Sequence, residues 1–146
     1  MLHLTSILLL AVLTSVQPER PSYEAAYQKA QEEHKPLLIV VGADWCAACK
    51  TLKSQTIEPM QSSGKLQDVV LTIVDKDSRP ELAQQLMQGS SLPQLVVFAK
   101  GDGGWKKFSL SGIQSERRIQ ELLEKAASET APRTASTKVD PTVSHR

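Results

Sequence analysis

Leu37-Leu38-Ile39-Val40-Val41-Gly42-Ala43-Asp44-Trp45-Cys46-Ala47-Ala48-Cys49-Lys50 is the stretch on which the reading of this chain turns. Its first five residues form an apolar run without alternation, which in so short a segment predicts a strand buried on both faces of a sheet covered by helices. Gly42-Ala43-Asp44-Trp45 breaks the run, and Cys46 to about Thr56 is compatible with a helix. The two cysteines therefore stand just past a buried strand and at the start of a helix. A thiolate, not a thiol, attacks a disulfide, and a helix N-terminus favours the thiolate with unpaired N–H groups and the positive end of its dipole. Two intervening residues let the second cysteine reach back to the first sulfur. Cys46 is thus the candidate nucleophile and Cys49 the resolving thiol that breaks a mixed disulfide.

Three plainer readings compete with this one. A structural disulfide across so short a loop gains only about 2 kcal/mol of chain entropy, against about 3 for a fifteen-residue loop. A metal site needs two further ligands. His3, His34 and His145 lie in an N-terminal apolar segment, at a helix end and in a polar C-terminal stretch, so no metal ligand set is expected. Two buried spectator thiols are the third reading.

Working outward, Tyr23, Ala26, Tyr27 and Ala30 recur at helical spacing, with Ser22 as N-cap and Pro36 as the stop. Val69–Val74 reads as a second buried strand. Ser78-Arg79-Pro80-Glu81 matches a capping box opening a helix with Leu82, Leu86 and Met87 on one face. Past Gly89-Ser90-Ser91-Leu92-Pro93 come Leu95–Phe98 and Trp105–Leu110, strands joined by the glycine-rich turn Gly101–Gly104 into a hairpin. Ser115 can cap a last helix whose Ile119, Leu122, Leu123 and Ala126 form one stripe. This order predicts an α/β domain with a mixed four- to five-stranded sheet and helices on both faces.

The ends read differently. Leu4–Val16 is uncharged and apolar, and at about 1.5 Å per helical residue it falls short of the ~30 Å bilayer core. Residues 1–18 are accordingly expected to be a signal peptide or an N-terminal anchor, which makes the protein exported, to the periplasm or outside the cell. Residues 128–146 hold two prolines and no aromatic residue, and are expected to be a disordered tail. The folded domain is placed at residues 21–127. The chain has 146 residues, with Lys+Arg 17 against Asp+Glu 16, so it carries no basic field for nucleic acid and room for one ordinary domain. Two cysteines exclude a disulfide-rich scaffold and a four-cysteine zinc site.

Ala43-Asp44-Trp45-Cys46-Ala47-Ala48-Cys49-Lys50 resembles the active-site stretch of the thioredoxin superfamily, and Ser91-Leu92-Pro93-Gln94 with Leu95–Phe98 resembles its cis-proline loop and following strand. The entry into the motif looks especially like the C-terminal thioredoxin-like domain of the bacterial membrane thiol–disulfide interchange protein, and is similar to small exported thioredoxin-like proteins. The resemblance implies a thioredoxin fold with Pro93 cis. It implies that Trp45 shields the pair and contacts substrate, a core tryptophan being the alternative. It implies that the Leu92 backbone, beside Cys46, pairs with an extended substrate. The chain departs from thioredoxins proper at two places. Their buried Asp is Val40 here, and their buried Lys on the next strand is matched by Leu71. Lys50 and Lys53 follow the second cysteine and either favour a thiolate or form a solvated helix face. Asp44 is expected to be exposed.

The expected function is an exported thiol–disulfide oxidoreductase acting on protein thiols and disulfides, working as a monomer without a cofactor. A membrane electron donor or acceptor would be its partner. Two alternatives stay open from the sequence: a peptide-binding module of the same fold without turnover, and a Cu(I)-type metal carrier using both thiolates.

Overall fold

A computed structural model describes residues 20–130. The N-terminal apolar run lies outside the described residues, as do residues 131–146 of the expected tail. Helix α1 (Tyr23–Glu32) opens with the Ser22 side chain accepting the Ala25 N–H at 3.2 Å. Strand β1 (Leu37–Gly42) follows, then α2 (Ala47–Leu52), a π-helical turn (Lys53–Ile57) and α3 (Glu58–Ser62). Next come β2 (Val70–Asp75), α4 (Pro80–Leu86), β3 (Gln94–Gly101), β4 (Gly104–Ser111) and α5 (Glu116–Thr130).

The strands form one mixed sheet in the order β2-β1-β3-β4. β1 pairs parallel with β2 and antiparallel with β3, while β3 and β4 make the hairpin. A parallel pair cannot be joined by a tight turn, and α2 and α3 supply the crossover from β1 to β2. Side chains alternate across β1 and divide the core in two. Leu37, Ile39 and Val41 pack with Ala26 and Ala30 of α1 and with Ala83 and Leu86 of α4. Leu38 and Val40 pack on the other face with Leu52, Ile57 and Met60, and with Ile119, Leu122 and Ala126 of α5. All six residues of β1 are buried, as the unalternating run requires.

Four local expectations change. α1 ends before Pro36, because His34 turns left-handed (φ 54°) and the Lys35 N–H reaches back to the Ala30 carbonyl, a Schellman ending. The helix after Cys46 runs past Thr56 through a π turn to Ser62. Pro59 would press its ring on the carbonyl four residues back in a regular helix, and the wider turn just ahead of it, with the Glu58 N–H bonded to the Lys53 carbonyl, relieves that. The capping box does not form. Pro80 takes the first helical position, so the cap falls on Arg79, and the Ser78 N–H is held by Asp75 Oδ1 at 2.8 Å. Finally, α5 extends to Thr130, so Ser128, Glu129 and Thr130 belong to the fold, not the tail. Ser115 caps it as expected, accepting the Arg118 N–H.

Surface carboxylates tie the helices to the sheet ends. Glu24 of α1 bonds both terminal nitrogens of Arg79, and that hydrogen bonding is the main cause that lowers its pKa to about 2. Asp75 is also lowered, mainly by accepting the Ser78 N–H. A carboxyl depressed in the folded state contributes stability above its unfolded value and loses it as pH falls through the folded one. Stability should therefore decline from the ordinary carboxylate range down toward pH 2. Glu24→Gln should remove the most acidic part of that decline, as read by urea unfolding at several pH values, and an unchanged acid limb would contradict it.

Candidate active site

β1 ends at Gly42, and the four residues that follow turn the chain into α2. Cys46 occupies the N-cap with extended backbone (φ −79°, ψ 103°), and its sulfur accepts the Cys49 N–H at 3.1 Å. The Lys50 N–H donates to the Cys46 carbonyl at 3.1 Å. The Lys50 bond is the first regular one of the helix, whereas the Cys49 N–H is a first-turn donor aimed at the sulfur, where it stabilises negative charge. The cysteines are joined as a disulfide with Cα atoms 5.2 Å apart. Both are largely buried, Cys46 at 7% exposure and Cys49 at 2%, so the accessible sulfur is only marginally so in this oxidised pair.

Behind Cys49 the backbone approaches closely. A Cβ on Gly42 would lie 3.2 Å from Cys49 Cβ and 3.3 Å from its sulfur, which explains glycine at the end of an otherwise branched strand. Beside it a cavity of about 70 Å³ is lined by Val40, Asp44, Cys49, Lys50, Lys53 and Asp75. That volume is enough to admit water. Val40 faces Ile73 across the β1–β2 ladder, and Leu71 joins both in one apolar cluster, so neither of the positions singled out by the family comparison carries a charge. The Asp75 carboxylate accepts the Asp77 and Ser78 N–H groups through Oδ1, and these hold it in its ionised form.

Trp45 is 68% exposed, which removes the core-tryptophan alternative. Its indole N–H donates to Asp77 Oδ2 at 2.6 Å. Asp77 is presented by the turn that Asp75 builds, and the Lys76 N–H donates to the Gly42 carbonyl at 2.8 Å, so this turn is pinned to the end of β1. Neither aspartate was singled out from the sequence, although an Asp two residues ahead of another after a strand is a readable Asx-turn signal.

The Leu92–Pro93 bond is cis, and Leu92 packs against Ala43, Cys46 and Cys49. The Pro93 carbonyl accepts the Gly112 N–H at 2.8 Å, with Gly112 at φ 84°. Ile113, next along, is 55% exposed and, with Trp45, is one of two large exposed apolar side chains among the described residues. Nothing in the sequence distinguished Ile113. The structure thus gathers Trp45, Cys46, Cys49, Leu92 and Pro93 at one end of the sheet.

Comparison with known proteins agrees with this geometry. The thioredoxin-like family model matches residues 17–100. The thiol:disulfide interchange protein DsbD of Klebsiella pneumoniae is 31% identical over 102 residues, 67% of this chain and 15% of that protein. An uncharacterized protein of Caenorhabditis elegans is 30% identical over 86 residues, 58% of this chain and 11% of that one. The chain therefore spans only a small part of these relatives. The solution structure of a thioredoxin from Thermus thermophilus superposes with a TM-score of 0.63, covering 75% of this chain and 86% of that one at 19% identity. With the fold and the spaced cysteine pair of a thiol–disulfide oxidoreductase, the chain belongs to the thioredoxin-like family.

Proposed function

We propose that this protein is an exported thiol–disulfide oxidoreductase that exchanges electrons with protein thiols and disulfides through Cys46 and Cys49. One observation carries the reading: the Cys46 sulfur caps a helix and accepts the Cys49 N–H, while Leu92 of the Pro93 loop packs against the pair. A disulfide serving only to staple the chain has no need of a helix N-cap beside an exposed tryptophan.

In the reducing direction the Cys46 thiolate attacks one sulfur of a substrate disulfide. A Cys46–substrate bond forms, the substrate S–S bond breaks, and the departing thiolate takes a proton from solvent. Cys49 then gives up its proton and attacks the Cys46 sulfur. The Cys46–Cys49 bond forms, the second substrate sulfur leaves, and two electrons have passed from the pair to the substrate. Run backwards, the same steps oxidise a substrate dithiol. Trp45 and Leu92 supply the apolar contact for a polypeptide, and the Leu92 backbone supplies hydrogen-bonding groups for an extended one.

Export rests on the apolar Leu4–Val16 run, read as a signal peptide or anchor within residues 1–18. In an oxidising compartment a reductase of this kind needs a membrane-borne electron donor, and an oxidase needs an acceptor. Finding full-length protein in the cytosolic fraction of the source cell would contradict export.

The proton on Cys49 is the distinctive step. Val40 offers no base, and Asp75 is a weak one because two N–H groups already hold its charge. Lys50 and Lys53, on the wall of the same cavity, favour the Cys49 thiolate without accepting its proton. Asp44, on the same wall, is exposed to solvent, so the proton leaves Cys49 through water and hydroxide.

Three results are expected. Cys46→Ser should abolish dithiol-driven disulfide reduction, while Cys49→Ser should accumulate a mixed disulfide on Cys46, seen by intact mass. A peptide-binding module without turnover would give neither. Turnover should rise steeply from neutral to alkaline pH, and Val40→Asp should flatten that rise while costing several kcal/mol of stability. A flat wild-type profile would mean that a base near Cys49 has been overlooked. Gly42→Ala should destabilise the oxidised protein by about 1–3 kcal/mol, since Cys49 is pinned by its helix and its disulfide, and unfolding midpoints no lower than wild type would contradict that crowding.

A further inference from the structure

Gln94 is the first residue of β3, directly after Pro93, and its side chain is fully buried. Its amide is used at both ends. Oε1 accepts the Gln88 N–H at 2.8 Å, and Nε2 donates to the Gln88 carbonyl at 2.9 Å and to the Ser91 carbonyl at 3.0 Å. The segment thus bracketed, Gln88–Ser91, is exposed at every residue and contains Gly89 at φ 72°. Among the described residues its backbone makes no other hydrogen bond. One buried side chain therefore holds the loop that runs from the end of α4 into Leu92.

We propose that Gln94 is a positioning residue for polypeptide substrates. This rests on the oxidoreductase reading above and adds what that reading lacks, a reason for the Leu92 backbone to stand ready beside Cys46. An extended peptide gains affinity by pairing its N–H and C=O groups with a fixed backbone edge. If the edge fluctuates, binding must also order it, and affinity falls by that ordering cost. A small aryl disulfide needs only the Cys46 sulfur and is indifferent to the loop. Gln94 thereby discriminates between substrate classes without touching either.

Gln94→Met keeps length and volume but makes none of the three bonds. The protein, driven by dithiothreitol, is assayed on a two-chain peptide disulfide, and the pre-reduced protein, freed of dithiothreitol, is mixed in single turnovers with the aryl disulfide dithionitrobenzoate. KM for the peptide should rise about tenfold with kcat little changed, while the aryl rate stays within about twofold. The reduction potential of the pair should not move. Parallel losses on both substrates would mean that Gln94 is merely structural, and unchanged kinetics would mean that the loop does not receive the peptide. Either overturns the proposal. Wild-type protein inactive on both substrates would instead overturn the oxidoreductase reading itself.

A measurement independent of that variant's folding uses Cys49→Ser with the peptide trapped on Cys46. Amide exchange across Gln88–Leu92 should be slower than in the same protein carrying the aryl thiol, and the Gln88 amide should be protected in both. Equal exchange across that segment, or an unprotected Gln88 amide, would overturn the proposal.

Discussion

A strand buried on both faces must find a cover for each, and that requirement at β1 organises the rest of the molecule. Leu37, Ile39 and Val41 call for α1 and α4, and Leu38 and Val40 call for α2, α3 and α5. Both edges of β1 are hydrogen-bonded as well, to β2 and to β3, so its position is fixed in three dimensions. Burying such side chains contributes about 1.5–3 kcal/mol each, and here they are stacked in the middle of the domain. What leaves the end of this strand is held with the rigidity of the core. The chain leaving it reaches Cys46 four residues beyond Gly42.

Rigidity matters because the chemistry is positional. The Cys46 sulfur meets the Cys49 N–H at 3.1 Å only while α2 starts where it does, and α2 starts there because β1 ends at a glycine that lets Cys49 pack against it. The opposing wall comes from elsewhere. Leu92 and Pro93 arrive on the segment before β3, the strand antiparallel to β1, and are tied to Gly112 beyond β4. Trp45 is steadied from β2 through Asp77. Four strands thus converge on a site whose charges, Asp44, Lys50, Lys53, Asp75 and Asp77, lie at its surface, with none in the core behind Cys49. Where thioredoxins proper are expected to carry a buried acid and its lysine, this chain packs Val40, Ile73 and Leu71. The core is the more stable for it, since a buried carboxyl is costly, and in the proposed exchange the Cys49 proton goes to solvent.

Much of this was legible in the residues. The unalternating run of β1, the cysteine spacing and the hairpin turn each have one dominant physical reading, and the structure follows them. The misreadings arose where two local signals competed. Ser78 and Glu81 fit a capping box, but Pro80 prefers the first helical position and Asp75 claims the Ser78 N–H. Pro36 looked like the helix stop, yet His34 turns the chain two residues earlier. Pro59 does not break its helix, because a π turn absorbs it. Gln94, Asp77 and Ile113 were invisible for another reason. Their partners lie in other segments, such as Asp77 32 positions from Trp45, and only the fold brings them together.

The equilibrium reduction potential of the Cys46–Cys49 pair, measured against a glutathione buffer with thiol and disulfide forms separated by mass, tests the central claim most directly. Exchange-active pairs on this fold lie between about −270 and −120 mV, and the account predicts a reversible value within that span. A pair more negative than about −300 mV, the territory of structural disulfides, would contradict it.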